Sequence, residues 1–180
     1  FAKIGIRPGF LILDDGWQSW QRGASGEDRL DSLKPNSRFG GDLRPLVQAA
    51  KQTWGVRHVL VWHAMLGYWG GLSQQAFPEA KMRDVAKSFS PGLLEADARW
   101  NVWPWGAVMG VPALDRFPAF YERLHAGLAE QGVDGVKVDA QGLLEGVGAG
   151  QGGRVAIASA ARRALEASAS KHFGGNLINC

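Results

Sequence analysis

Two short acidic segments carry the residue types that could perform chemistry in this chain. The first reads Asp-Asp-Gly-Trp-Gln at 14–18 and directly follows the apolar run 10–13. The second reads Lys-Val-Asp-Ala-Gln at 137–141 and follows the β-branched run 133–136. Carboxylates at the C-terminal tips of buried strands are where a β/α barrel keeps its catalytic groups. Because a buried strand gains no stability from an acid at its tip, both segments predict a functional site.

The spacing of Lys137 and Asp139 places both side chains on one face of a strand, since side chains alternate with a period of two. An ammonium group beside a carboxylate would keep Asp139 ionised, as a nucleophile requires. The alternative is a structural ion pair at the strand end. We favour catalysis, because two charged residues on a core-facing strand are costly unless they are used.

Asp14 and Asp15 are adjacent, so a regular strand would send them to opposite faces. Gly16 allows the chain to turn there, and both side chains could then reach the same site. Paired carboxylates suit bidentate binding of sugar hydroxyls or half of a metal site. Because only Asp139 offers a third ligand, we predict no metal. The alternative is that one aspartate caps the turn and the other is solvated.

Tryptophans are concentrated in the first 105 residues, and four of them lie in loop-like sequence beside Gly or Pro: Trp17, Trp69, Trp103 and Trp105. An indole face is a flat apolar platform for a sugar, and its edge can donate a hydrogen bond. Any one of them could equally pack in a core, as we expect for Trp54 at a helix end. Four together favour a sugar-binding cleft, and with the carboxylates they indicate a carbohydrate-active enzyme.

One histidine has a suggestive position. His63 follows Trp62 at the tip of a predicted strand and is a candidate ligand or hydrogen-bond donor to a substrate. A structural role is the alternative for a lone histidine. The other histidines, His58, His125 and His172, have no chemical context in the sequence.

Strand and helix signals alternate along the chain, which indicates parallel βαβ units. The predicted strands are 10–15, 57–63, 102–111, 133–139 and 176–180. The predicted helices are 42–54, 115–131 and 154–173, each followed by glycine. The stretch 64–101 is far longer than an ordinary loop and predicts a substrate lid with a helix at 79–87.

This alternation predicts an α/β fold of the (β/α)8 barrel type. An open doubly wound sheet is the alternative, but the first strand–helix turn lacks its phosphate-binding glycine pattern. A complete barrel takes about 250 residues. We therefore expect this chain of 180 residues to be one partial catalytic domain, roughly the N-terminal half of a barrel that continues beyond Cys180.

Composition excludes several classes of partner. The formal net charge is only +3, and the basic residues are scattered, which argues against a nucleic-acid partner. No apolar run approaches the roughly 20 residues of a membrane span. The single cysteine, Cys180, excludes an internal disulfide and a zinc cluster. It is compatible with a reducing compartment, and we expect a cytoplasmic location.

Seven motifs resemble one family in order and spacing. They are Leu-Ile-Leu-Asp-Asp-Gly-Trp-Gln at 11–18, Val-Trp-His-Ala at 61–64, Gly-Tyr-Trp-Gly-Gly at 67–71, Ser-Pro-Gly-Leu at 90–93, Gly-Val-Asp-Gly-Val-Lys-Val-Asp-Ala-Gln at 132–141, Gly-Gly-Arg-Val at 152–155 and Phe-Gly-Gly-Asn-Leu-Ile-Asn-Cys at 173–180. The family is the raffinose synthase, stachyose synthase and alkaline α-galactosidase group (the seed imbibition proteins) within glycoside hydrolase family 36. The resemblance covers essentially the whole chain.

The resemblance implies a (β/α)8 barrel that acts on α-galactosides with retention and uses no cofactor. Asp139 would be the nucleophile that forms a galactosyl-enzyme intermediate. The matching sugar-binding positions are Asp14, Asp15, Lys137, Trp62 and Cys180, to which the residue types add Trp17, His63 and Trp69. The acid/base carboxylate of such enzymes would follow Cys180, so this chain alone should be inert.

The expected activity is transfer of galactose from galactinol to sucrose. The first alternative is an alkaline α-galactosidase that hydrolyses raffinose-type oligosaccharides, and the second is a non-catalytic, truncated sugar-binding relative. The chain departs from the plant members in two places. Ala140 replaces the usual Val, which we expect to be harmless. The segment 29–42 looks shorter than in many plant transferases, which weakens any choice between transferase and hydrolase.

Overall fold

Four strands form a parallel sheet whose C-terminal ends share one edge. The structure is a computed structural model that describes residues 2–101 and 106–180. The strands found there are β1 Phe10–Leu13, β2 Gln18–Arg22, β3 Asp28–Pro35, β4 His58–Ala64, β5 Arg83–Ala86, β6 Val108–Val111, β7 Gly135–Asp139 and β8 Leu177–Asn179. The parallel sheet has the order β1-β4-β7-β8, while β2 pairs with β3 and β5 pairs with β6 in separate antiparallel pairs.

Helices connect the strands of the parallel sheet. They are α1 Arg44–Gln48, continued by a π-helix over Ala49–Thr53, α2 Pro91–Ala96, α3 Phe117–Glu130, α4 Leu143–Gly146 and α5 Arg154–Phe173. Short 3-10 helices lie at Ala2–Ile4, Ser37–Phe39, Pro78–Ala80, Ala98–Asn101 and Leu114–Arg116. The predicted helix 154–173 is confirmed, and it ends at Gly174 in the left-handed conformation, with φ 61°.

The sheet buries one face against α3 and α5. The residues on that face are valines with no exposed surface: Val59, Val61, Val136 and Val138. Each such side chain contributes about 1.5–3 kcal/mol on burial. On α3 the apolar residues recur every three or four positions, from Phe117 through Leu124 to Leu128, which gives the helix a continuous apolar face. This packing fixes the strands whose ends carry the acidic segments.

The long stretch after β4 packs into the core, which corrects the prediction of a lid. Tyr68, Leu72 and Phe77 are buried within it. Glycine makes the packing possible, because a Cβ on Gly71 would lie 2.0 Å from the carbonyl oxygen of Gly110. The predicted helix at 79–87 is also wrong, since the short 3-10 helix Pro78–Ala80 and β5 occupy this region.

The prediction of a strand at 102–111 is correct only in part. Residues 102–105 lie outside the described residues, and β6 begins at Val108. This strand pairs antiparallel with β5 and does not join the parallel sheet. The predicted α/β class with a parallel sheet is confirmed, whereas closure into an eight-stranded barrel stays a prediction.

Candidate active site

The parallel register brings the two acidic segments to the same edge of the sheet. Trp62 of β4 lies opposite Lys137 of β7, and Ala64 lies opposite Asp139. These side chains therefore share the face opposite the one that α3 and α5 cover. At the neighbouring strand, the backbone N–H of Cys180 donates to the carbonyl of Val138 at 2.9 Å.

Lys137 forms its ion pair with Asp14 across this edge. Its Nζ donates to Asp14 Oδ2 at 2.6 Å, and the pair raises the pKa of Lys137, with smaller contributions from the Cys180 and Asp139 charges. Partial burial raises the pKa of Asp14, but the Lys137 hydrogen bond, the Asp15 backbone N–H and the Lys137 charge outweigh it and hold that pKa below its usual value. The predicted pairing of Lys137 with Asp139 is thus corrected: the direct partner is Asp14.

Asp15 is held by two aromatic donors. The Tyr68 hydroxyl donates to Oδ1 at 2.9 Å, and the Trp69 indole N–H donates to Oδ2 at 2.8 Å. Burial, and then the charge and hydrogen bond of Asp15, raise the pKa of Tyr68, so that its hydroxyl stays protonated. Gly16, at φ 105°, provides the predicted turn. Asp14 and Asp15 are both exposed at this turn, but they have separate partners.

The Asp139 carboxylate is oriented by two donors. The Trp62 indole N–H donates to Oδ2 at 3.2 Å, and the backbone N–H of Ala140 donates to Oδ1 at 2.6 Å. Ala140 itself adopts φ 62°, a left-handed conformation that is unfavourable for a residue with a Cβ. Asp139 is half-buried and remains reachable from the open face. A carboxylate held in this way is suited to nucleophilic attack.

Aromatic side chains surround these carboxylates but present few free faces. Trp62 is 1% exposed and packs against Tyr68 and Trp69, with ring centroids 5.8 Å and 5.3 Å away. It therefore contributes its N–H rather than a platform. Trp69 is only half-buried. Sequence reasoning missed Tyr68, although its position inside the Gly67–Gly71 motif was a usable signal.

Two predicted sugar-binding residues are buried behind the site. Trp17 is 1% exposed and donates its indole N–H to the carbonyl of Trp62 at 2.7 Å. His63 has no exposed surface and lies on the helix-facing side of β4, against His125. The structure brings neither side chain to the open face, so their direct contact with a sugar stays a prediction that this burial argues against. For His63 the cause is the period of two, which turns a residue next to a site residue to the other face, whereas the turn after Gly16 directs Trp17 inward.

The remaining sequence-predicted residues have mixed outcomes. Cys180 is exposed at the end of β8, and its carbonyl accepts from Gln141 Nε2 at 3.2 Å. Trp54, expected in the core, is 53% exposed, because it follows the last helical turn. Trp103 and Trp105 lie outside the described residues.

The described residues contain neither a cluster of metal ligands nor a membrane-spanning helix. No three side chains among His, Cys, Asp and Glu in residues 2–101 and 106–180 come together as metal ligands would. Within the same ranges, none of the helices combines the length and hydropathy needed to cross a lipid bilayer.

Comparison with known proteins gives one consistent family. The sequence profile described as "Raffinose synthase or seed imbibition protein Sip1" matches residues 27–180. The chain is 37% identical over 194 residues to the probable galactinol–sucrose galactosyltransferase 6 of Arabidopsis thaliana, covering 97% of this chain and 25% of the relative. It is 38% identical over 209 residues to the galactinol–sucrose galactosyltransferase of Oryza sativa subsp. japonica, covering 97% and 25%. It is also 37% identical over 170 residues to the stachyose synthase of Pisum sativum, covering 91% and 18%.

Solved structures share the fold at low identity. The α-galactosidase TtGalA from Thermus thermophilus, in complex with stachyose, superposes with a TM-score of 0.58 at 18% identity, over 95% of this chain and 32% of that chain. A dextranase from Flavobacterium johnsoniae, complexed with glucose, gives 0.54 at 14% identity, over 100% and 23%. The chain spans about a quarter of the length of the galactosyltransferases that it matches. Its profile match and its identity to these relatives show that the chain belongs to the raffinose synthase and seed imbibition protein family.

Proposed function

We propose that this chain is the nucleophile-bearing part of a retaining α-galactosyltransferase that moves galactose from galactinol to sucrose. The observation that carries the proposal is Asp139, a carboxylate oriented by Trp62 and Ala140 at the tip of β7 and facing the open side of the sheet. Relatives named galactinol–sucrose galactosyltransferase support the class of reaction. The proposal extends to the full-length protein that contains this chain.

The proposed architecture is about half of a (β/α)8 barrel. Four parallel strands with helices on one face and charged residues on the other are what such a half requires. The edge strands β1 and β8 each have a single neighbour in the described sheet. In the proposed barrel, further strands pair with these edges, and the face of Lys137 and Asp139 becomes the interior. The likeness to TtGalA supports this assignment.

In the proposed mechanism, Asp139 opens the glycosidic bond by direct attack. One carboxylate oxygen bonds to the anomeric carbon of galactose, while the bond from that carbon to the galactinol oxygen breaks. The departing oxygen takes a proton from a general acid. An acceptor hydroxyl of sucrose then attacks the same carbon, gives its proton to the same acid/base group and releases Asp139 as a free carboxylate. Two inversions give net retention.

The proposed galactose site uses the exposed carboxylates next to Asp139. Asp14, fixed by Lys137, and Asp15, fixed by Tyr68 and Trp69, each keep lone pairs that can accept from sugar hydroxyls. Preorganised acceptors of this kind bind without a reorganisation cost. Trp62 and Cys180 are the further proposed lining positions at neighbouring strand ends.

The general acid is a residue other than these aspartates in our proposal. An acid must carry a proton at working pH, whereas the pKa of Asp14 is held below its usual value. Both carboxylate oxygens of Asp15 are already engaged, one by the Tyr68 hydroxyl and the other by the Trp69 indole N–H. We therefore assign the acid/base role to a carboxylate that follows Cys180 in the full-length protein, about 5–5.5 Å from Asp139 as retention requires.

Product analysis tests the proposed function. The full-length protein is incubated with galactinol, with and without sucrose, alongside an Asp139→Ala variant. Raffinose formed only by the wild type in the presence of sucrose supports the transferase. Free galactose in both conditions would make the protein a hydrolase. Galactinol binding without turnover would indicate a sugar-binding relative, and equal activity of the variant would contradict the role of Asp139.

A further inference from the structure

The helix-facing side of the sheet holds two buried histidines that the proposed mechanism does not use. The Nε2 atoms of His63 on β4 and His125 on α3 are 3.3 Å apart, and neither residue has exposed surface. His63 Nδ1 lies 2.9 Å from the carbonyl oxygen of Ala64. His125 Nδ1 lies 2.9 Å from Ser168 Oγ on α5. These four residues, the histidine chain, link two helices to the tip of β4.

One assignment of protons satisfies every atom of the histidine chain. A carbonyl oxygen only accepts, so His63 Nδ1 carries the hydrogen that bonds to Ala64. Burial lowers the pKa of His63 to about 4 and that of His125 to about 2, so both rings are neutral and each has one N–H. His63 Nε2 therefore accepts from His125 Nε2–H, and His125 Nδ1 accepts from the Ser168 hydroxyl.

The tip of β4 in turn holds Asp139 from two directions. The backbone N–H of Met65 donates to the Asp139 carbonyl at 2.8 Å, and the Trp62 indole N–H donates to the carboxylate at 3.2 Å. Helix α3 fixes this tip a second time, because the Tyr121 hydroxyl donates to the Met65 carbonyl at 2.5 Å. Tyr121 and His125 are four residues apart and share one face of α3. A displacement of the tip would therefore move both the Met65 N–H and the Trp62 indole N–H relative to Asp139.

We propose that His63 and His125 are positioning residues whose hydrogen-bond chain fixes the tip of β4 and, through it, the orientation of the Asp139 carboxylate. The inference rests on the proposed role of Asp139 as nucleophile. A displacement of about 1 Å in a reacting group can lower a rate by about 10²-fold. A histidine pair with only a structural role would change the stability and leave the turnover of each folded molecule unaltered.

Three variants of the full-length protein separate these roles. His125→Phe keeps a ring of similar volume but leaves His63 Nε2 without a donor. His125→Gln restores a side-chain N–H. Leu128→Ala, on the same helix and equally buried, creates a cavity outside the histidine chain and is the matched control for lost stability.

The first readout is kinetic. In folded samples, we expect His125→Phe to lower kcat for galactosyl transfer by about 30- to 100-fold, with KM within about twofold because the sugar-binding aspartates are untouched. His125→Gln should return kcat to within about fivefold of the wild type. Leu128→Ala should leave kcat per folded molecule unchanged.

The second readout does not need activity. With 5-fluorotryptophan incorporated, the fluorine signal of Trp62 is assigned by its loss in Trp62→Phe. We expect His125→Phe to shift this signal and Leu128→Ala to leave it in place. In an active enzyme, an unshifted signal or an unchanged kcat in folded His125→Phe overturns the inference. If the wild type transfers no galactose, the proposed function fails, and the fluorine signal alone decides whether the histidine chain positions the site.

Discussion

The two faces of the parallel sheet are made by alternate residues of the same strands, yet they differ in almost every property. On the helix-facing side, the valines of β4 and β7 have no exposed surface, and the buried histidines are neutral. On the open side, Lys137 and Asp139 are only partly buried, and the exposed Asp14 pairs with Lys137. Apart from the histidine chain, side chains on the covered face serve stability and those on the open face serve the proposed chemistry, so substitutions on the two faces should have opposite consequences.

The largest expected effect is a crossed pair of substitutions, one on each side of the sheet. Leu124→Ala, in α3 on the covered side, should lower the apparent free energy of unfolding by about 2–5 kcal/mol and leave kcat/KM of the folded protein unchanged. Lys137→Met, on the open side, should leave stability within about 1 kcal/mol and lower kcat/KM by about 100-fold. Denaturant titration and steady-state kinetics measure both quantities. Equal losses of stability in the two variants would break the distinction between the faces.

The next expected effect is a loss of stability in acid that originates on the covered side. Because folding lowers the pKa of His63 from 6.5 to about 4, the unfolded chain binds a proton more readily between these values. The contribution of His63 to the free energy of unfolding is therefore complete above pH 6.5. It decreases by about 3 kcal/mol as the pH falls towards 4. His172 of α5 also faces the pair of His63 and His125. Its Nε2 lies 3.0 Å from a carboxylate oxygen of Glu122 on α3.

A difference measurement isolates this effect from the titration of carboxylates. Unfolding of the wild type and of His63→Asn is compared at pH 7 and pH 4.5. The variant should lose less stability than the wild type over this interval. A loss of the same size in both proteins would show that the histidine does not carry the acid sensitivity.

A smaller effect is expected from one donor on the open side. Tyr68→Phe removes a hydrogen bond to the Asp15 carboxylate, and such bonds to charged groups contribute about 1.5–3 kcal/mol. We expect KM for the galactosyl donor to rise by about tenfold or more, with a smaller change in kcat. Trp20→Phe is the control, because Trp20 stacks on Tyr68 with ring centroids 6.1 Å apart. A similar rise in KM for both variants would assign the effect to packing.

The smallest effect concerns the strained residue beside Asp139. Glycine adopts the left-handed conformation of Ala140 without penalty, so Ala140→Gly should raise the free energy of unfolding by about 1 kcal/mol. Ala140→Val should lower it, since a β-branched residue is worse at φ 62°. This outcome would correct the expectation from sequence that the exchange of Ala and Val is harmless. No stabilisation by glycine would contradict the strain.

Sequence predicted the strand ends well because their signals are local. The apolar run before Asp139 and the glycines after α5 mark their elements without any knowledge of the fold, and both elements are found within two residues of their predicted bounds. The pairing of Lys137 with Asp14 spans 123 residues. It depends on strand register and on the turn at Gly16, which a local pattern does not contain.

Other features escaped prediction for physical reasons. The β2–β3 pair is irregular in register and buries Glu27 and Arg29 as an ion pair, so it lacks a clean alternation of apolar and polar residues. Trp17 and His63 lie next to site residues in sequence but face inward. Their orientation follows from the structure of the turn and the sheet, and residue type alone does not predict it.

In the proposed mechanism, Asp139 of the open face forms a covalent bond to galactose. The most direct measurement is peptide mass mapping of the full-length protein after incubation with a slow, fluorinated α-galactosyl fluoride that lets the intermediate accumulate. We expect one galactosyl group on the peptide that contains Asp139, and none in Asp139→Asn. A galactosyl group on a different residue would contradict this role of Asp139. Product formation by a wild-type enzyme that never becomes labelled would contradict it as well.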